Sequence, residues 1–175
     1  MNLFEPLEGR PTTSEAALST GRTLSLLALL VVLAWATGEP FLFPSLGPSA
    51  YALAVTPSAA TSKWQRTVGG HLFGVLAGLL AYHALAPGLA VTDIPPALSL
   101  PGLRLVGAGF VSVGLTTAAM LRTDLRHAPA CATTLIVGLG LLTSLFEAAI
   151  ILFAIAILVV ADHVVPAAGV DEPPQ

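Results

Sequence analysis

Apolar residues in this chain gather into long unbroken runs rather than the alternating or three-to-four spacing of water-soluble elements. Four runs, at 23–38, 67–86, 103–121 and about 144–165, are almost free of charge. About 20 mostly apolar residues are needed to cross about 30 Å of hydrocarbon, so the pattern predicts four membrane-spanning helices. Two further apolar stretches are short and broken. The first, 41–60, contains Pro44, Gly47, Pro48 and Pro57, and the second, 127–141, runs almost directly into the last strong span. Each is either a short crossing or a re-entrant half-helix. Non-helical backbone at membrane depth must be covered by protein or line a wet cavity, so both cases imply a shielded interior. The predicted fold is an all-α membrane bundle of four strong spans plus two short broken segments.

Composition agrees with the pattern. Of 175 residues 55% are hydrophobic and only 10% charged, against about a quarter charged in soluble domains. The chain divides into a polar segment 1–20 (a solvated tail or a surface helix), a transmembrane domain 21–166 with halves near 21–86 and 101–166, and a polar end 167–175. Glu5, Glu8, Arg10, Pro11 and Glu15 within the first segment exclude a cleavable signal there.

Charge placement then bears on topology. If both broken stretches cross, Arg10, Arg22, Lys63, Arg66, Arg122 and Arg126 share one side and Arg104 lies opposite; if both re-enter, the positives split. The positive-inside tendency favours six crossings of a cell membrane with both termini cytoplasmic. Four spans with two re-entrant segments is the alternative.

The two halves share a layout of strong span, broken stretch, strong span. Gly47-Pro48-Ser49-Ala50 aligns with Ala128-Pro129-Ala130-Cys131, and Thr56 with Thr133 and Thr134 follow. Three crossings per half would make an inverted repeat, in which paired interrupted segments point to a binding site. Proline suits a first helical turn, so Pro48 and Pro129 mark helix starts. The N–H groups of Ser49, Ala50 and Tyr51, and of Ala130, Cys131 and Ala132, would then face an anion. The competing reading is that proline and small residues only aid packing.

Polar side chains near these starts supply candidate chemistry. His127 could carry a proton or donate to an anion, and Arg126 could draw anions inward; both also suit interfacial positions. His71 follows Gly69 and Gly70, which allow another backbone to come close, and His83 and His163 sit near span ends. Glu147 is the sole acid well inside a strong span and is a proton-coupling candidate, with Arg104 its partner if the third and fourth spans pack together. Gly74 and Gly78 with Ala77 and Ala81, and Gly107 and Gly114 with Ala118, read as packing faces.

Several classes are excluded. One cysteine, Cys131, leaves no internal disulfide and no cysteine metal site, and the four histidines lack metal-ligand spacing. Catalytic motifs are missing, so neither an enzyme nor a cofactor is indicated. A net charge of −3 with Lys63 as the sole lysine gives no nucleic-acid partner.

Three motifs carry a resemblance. "HAPACATTLIVGLG" is similar to the defining His-Pro-Pro-Ala-Gly-Ala-Thr stretch of the HPP family of integral membrane proteins, and "FPSLGPSAYAL" and "RTVGGHLFGVLAG" resemble its first-half signatures. They occur in family order over roughly residues 20–165. Ala128 stands where the family has its first proline, and Cys131 where it has glycine. The resemblance implies four membrane spans and a small transporter, with nitrite or a similar anion as cargo, since plastid and cyanobacterial members are linked to nitrite. Expected partners are the bilayer, a small anion and further copies of the chain.

Overall fold

The computed structural model describes residues 11–165, and the polar end 167–175 lies outside them. Among the described residues the regular structure is entirely helical: α1 Thr13–Thr37, α2 Leu46–Val55, α3 Trp64–Leu85, α4 Leu100–Thr123, α5 Ala130–Gly138 and α6 Leu145–Val164, with a 3-10 turn at Ala60–Ser62. Four of these, α1, α3, α4 and α6, are long and apolar enough to cross a membrane.

Local chemistry sets the boundaries. Thr12 and Glu15 form a capping box that starts α1 at Thr13, inside the segment expected to be a polar tail or surface helix. Two reciprocal hydrogen bonds satisfy orphan N–H groups there, so the helix begins before its apolar run does. Gly38, at φ 72°, closes α1 in the left-handed conformation. Ser99 caps α4, whose second residue is Pro101, and Ser144 with Glu147 forms a second capping box at α6.

The broken stretches yield helices of 10 and 9 residues. At 1.5 Å per residue each spans about 15 Å, half of a bilayer core. Their neighbours fix their direction. At one end of the bundle Arg22 of α1 meets Leu53 of α2 and Asp162 of α6, while Arg66 of α3 meets Asp124 beyond α4. At the other end Arg104 of α4 reaches Leu85 of α3, and Thr143 before α6 meets His83 of α3. Both short helices thus have long partners on either side in sequence, and 38–45 and 124–129 are their non-helical leads.

Two apolar clusters hold the bundle. Leu26, Leu30, Leu46, Leu53, Ile151, Ile155 and Leu158 join α1, α2 and α6, and Val75 and Val137 extend this cluster to α3 and α5. Tyr82, Leu105 and Ala108 form a second cluster between α3 and α4. The exterior is apolar as well: Trp35, Phe110, Phe146 and Leu80 are exposed, as a lipid-facing surface requires.

α5 lies close on α3 because α3 lacks side chains there. A Cβ on Gly74 would stand 2.8 Å from the Ala130 carbonyl oxygen, and one on Gly78 would stand 2.6 Å from Val137 Cβ. The α4 face expected from Gly107, Gly114 and Ala118 is a correction. Nothing lies within 4 Å of a Cβ on Gly107 or Gly114, and Ala118 is exposed. The buried stripe of α4 is Leu105, Ala108, Gly109, Ser112, Thr116 and Met120, and Gly109 is the glycine that meets α5's end, at Leu139.

Arg22 also departs from its expected place at a helix end. It is buried, donating 3.1 Å to the Leu53 carbonyl and 2.7 Å to Asp162. Removing one partner of such a pair strands the other charge at a cost of about 3–5 kcal/mol. Asp162→Asn is therefore expected to lower the unfolding temperature of detergent-purified protein, while Arg22→Met with Asp162→Met together recovers most of the loss.

Candidate functional site

α2 begins against α3 and α5, and there polar side chains meet inside the bundle. Ser45, Ser49, His71, His127 and Thr133 come from the start of α2, the second turn of α3, the lead into α5 and α5's first turn. All are 0–1% exposed. Ser45 Oγ lies 2.6 Å from Thr133 Oγ1, which lies 2.7 Å from His71 Nδ1. His71 Nε2 is 2.9 Å from Ser49 Oγ, and Ser49 Oγ is 3.2 Å from His127 Nε2. His127 Nδ1 donates 2.9 Å to the Thr61 carbonyl. The two rings have centroids 5.1 Å apart.

Glycine makes this approach feasible. Cβ atoms on Gly69 and Gly70 would collide with Leu125 and with His127 Cβ, 2.9 Å away in the latter case. Gly70 thus admits the backbone of the lead into α5, at the Leu125 carbonyl, whereas Gly69 makes room for the Leu125 side chain. Ser45 precedes α2 at its N-cap but does not cap it, because its hydroxyl is turned to Thr133. Beside the cluster, Thr116 and Thr134 share a buried hydrogen bond of 2.8 Å between α4 and α5. Thr67 lies one turn before His71 on α3, fully buried, and its Oγ1 has no partner.

The helix starts themselves differ from expectation. Pro48 sits in the first turn of α2, which starts two residues earlier at Leu46, and Pro129 is the N-cap of α5. The N–H groups expected to face an anion are already engaged. Ser49 N–H donates to Ser45, Ala130 to His127, Cys131 to Ala128 and Ala132 to Pro129. Ala50 and Tyr51 lie past the first turn, where N–H groups bond within the helix. The tight turns that precede each helix supply carbonyls for these donors, so side chains rather than backbone present the polar surface.

Other sequence candidates lie outside the cluster. Tyr51 is exposed, and Cys131 is half-buried with a free thiol. Arg126 is exposed and paired with Asp124, which also binds Arg66. These two guanidiniums, Arg126 first, hold the Asp124 carboxyl below the usual carboxylate range. Glu147 accepts from the Thr143 and Ser144 N–H groups at 2.8 Å each, and Arg104 donates to Leu85. The proposed Glu147–Arg104 pair is therefore replaced by a helix cap and a carbonyl contact. His83 and His163 likewise bond carbonyls, of Thr143 and Val159.

Sequence reading singled out Ser49, His71, His127 and Thr133 but missed Ser45, Thr67 and the Thr61 carbonyl. Spacing was the available signal: Ser45 precedes Ser49, and Thr67 precedes His71, by one helical turn, which places each pair on one face.

A bundle of apolar helices enclosing linked polar side chains defines an α-helical integral membrane protein. The particular family follows from comparison: the HPP transmembrane region matches residues 8–169, and the chain belongs to the HPP family. No curated protein and no solved structure matches it.

Proposed function

We propose that this chain is a small membrane transporter for a monovalent inorganic anion, with nitrite, the cargo linked to family members, as the leading substrate. The observation that supports it is the cluster of Ser45, Ser49, His71, His127 and Thr133, fully buried in an otherwise apolar bundle. Polar and titratable groups at membrane depth are costly and are retained for solute or proton pathways. Hydroxyl and imidazole donors suit a small oxyanion, and Thr67 offers a further unused hydroxyl.

In this reading α2 and α5 are half-helices of an inverted repeat, α1–α3 and α4–α6, whose starts meet at Ser45 and Thr133. The cluster is closed from both sides, so a shift of one half against the other gives access. The end that carries Arg22, Lys63, Arg66, Arg122 and Arg126 faces the cytoplasm of a cell membrane and the end with Arg104 faces outward. No catalytic role is assigned, and association of several copies shields the bundle.

Uptake by reconstituted vesicles of nitrite, nitrate, formate and chloride tests the reading. One anion is expected to enter faster than in protein-free vesicles, and Thr133→Val, which keeps shape but removes the hydroxyl and its contacts to Ser45 and His71, should slow it at least about tenfold. Folded protein that moves none of the four would instead be a membrane scaffold.

A further inference from the structure

The hydrogen bonds of the cluster can be assigned by counting protons. The Thr61 carbonyl only accepts, so His127 Nδ1 carries a hydrogen. In neutral His127 the Nε2 atom is then a bare acceptor facing Ser49 Oγ. Ser49 has one hydroxyl hydrogen and two claimants, His127 Nε2 and the Ser45 carbonyl 2.9 Å away. Were Ser49 to donate to His71 instead, both claimants would go unmet, so the arrangement with more contacts made has His71 Nε2–H donating to Ser49. His71 Nδ1 then accepts from Thr133, and Thr133 accepts from Ser45.

One added proton resolves the competition. On His127 Nε2 it donates to Ser49 Oγ, and the Ser49 hydrogen turns to the Ser45 carbonyl; every contact in the cluster is then made. A second proton, on His71 Nδ1, would point at Thr133 and place two cations with ring centroids 5.1 Å apart. The geometry admits one proton per pair.

That proton has no fixed counter-ion. On α3, its N-cap and the lead into α5 the charged side chains are Lys63, Arg66, Arg126 and the Asp124 carboxylate that binds both arginines. Against α2, Arg22 is paired with Asp162. α4 and α5 contribute the Thr116–Thr134 hydroxyls. Among the described residues no carboxylate hydrogen-bonds either ring. A lone imidazolium inside an apolar bundle calls for a mobile anion.

We propose that the His71–His127 pair binds one proton together with one monovalent anion, so that the protein carries the two in a 1:1, electroneutral step. The proton comes from water on the entry side, forms the second N–H bond of one ring and returns to water on the far side with the anion. This rests on the anion-transport reading above.

Two measurements test it. In weakly buffered detergent solution at pH 7, saturating binding of the transported anion should take up about one proton per chain. The double variant His71→Gln with His127→Gln, which keeps donors and acceptors but cannot titrate, should take up none. In vesicles, one pH unit of inward acid gradient should drive about tenfold accumulation, unchanged when the membrane potential is clamped with potassium and valinomycin at zero or inside-negative. Rates are compared with protein-free vesicles, because neutral acids leak. Binding or uptake without proton uptake, or uptake that follows the potential, overturns the coupling and leaves anion transport standing. Absence of both binding and uptake for nitrite, nitrate, formate and chloride by folded protein overturns both.

Discussion

Gly74→Leu is expected to abolish the folded bundle, seen as loss of monodisperse protein after extraction and no cooperative unfolding transition. A Cβ at this site already meets the Ala130 carbonyl oxygen at 2.8 Å and Thr134 Oγ1 at 3.0 Å. Neither neighbour can retreat: Ala130 is backbone in the first turn of α5, and the Thr134 hydroxyl is held by Thr116 and the Ala130 carbonyl. The three further heavy atoms of leucine would push α5 from α3, at about 3 kcal/mol or more. The displacement would also pull Thr133 from His71. Gly107→Leu is the matched control, since a Cβ there meets nothing within 4 Å. It should change stability by less than about 0.5 kcal/mol. Equal damage from both would show that helix propensity, not the α3–α5 contact, sets the outcome.

His71→Phe is the second large effect, and it acts on function more than on folding. Phenylalanine fills the ring's volume, so no large cavity complicates the result. It removes the contacts to Ser49 and Thr133, at 2.9 and 2.7 Å. Ser49 keeps His127 and the Ser45 carbonyl, and Thr133 keeps Ser45, so neither hydroxyl is orphaned. Two lost hydrogen bonds amount to about 2–3 kcal/mol. Anion uptake should fall about a hundredfold, with the protein still folded by its elution profile. Uptake above a tenth of the parent's would remove His71 from the anion site.

The fold was legible where the bilayer alone dictates it. Runs of apolar residues such as those of α3 and α6 have one stable state in hydrocarbon, so length and hydropathy suffice. The start of α1 was not, because Thr12 and Glu15 act through a local cap that hydropathy ignores. The face of α4 was also misread. Glycine spacing shows that backbones can approach somewhere, whereas the rotation of a helix depends on its neighbours, here Leu135 and Leu139 against Gly109.

The candidate site was legible in part. His71, His127, Ser49 and Thr133 stood out as polar residues in apolar surroundings, yet the contacts among these four join positions 22 to 78 residues apart in the chain. Sequence named the participants without showing that they touch. It also placed the anion on backbone N–H groups, since a helix start in isolation has free donors. The turns built by Ser45 and His127 take those donors up, and only the folded lead segments reveal it.

Arg22 and Asp162 stand 140 residues apart and join α1 to α6. In order of synthesis, this joint is among the final ones to close. Until α6 emerges, α1 carries an arginine with only the Leu53 carbonyl to meet it, a poorly settled passenger in lipid. The arrival of Asp162 settles that charge and links α1 to α6. Closure of the bundle thereby waits on α6, and a nascent chain that stops short of it holds Arg22 in lipid without its carboxylate partner.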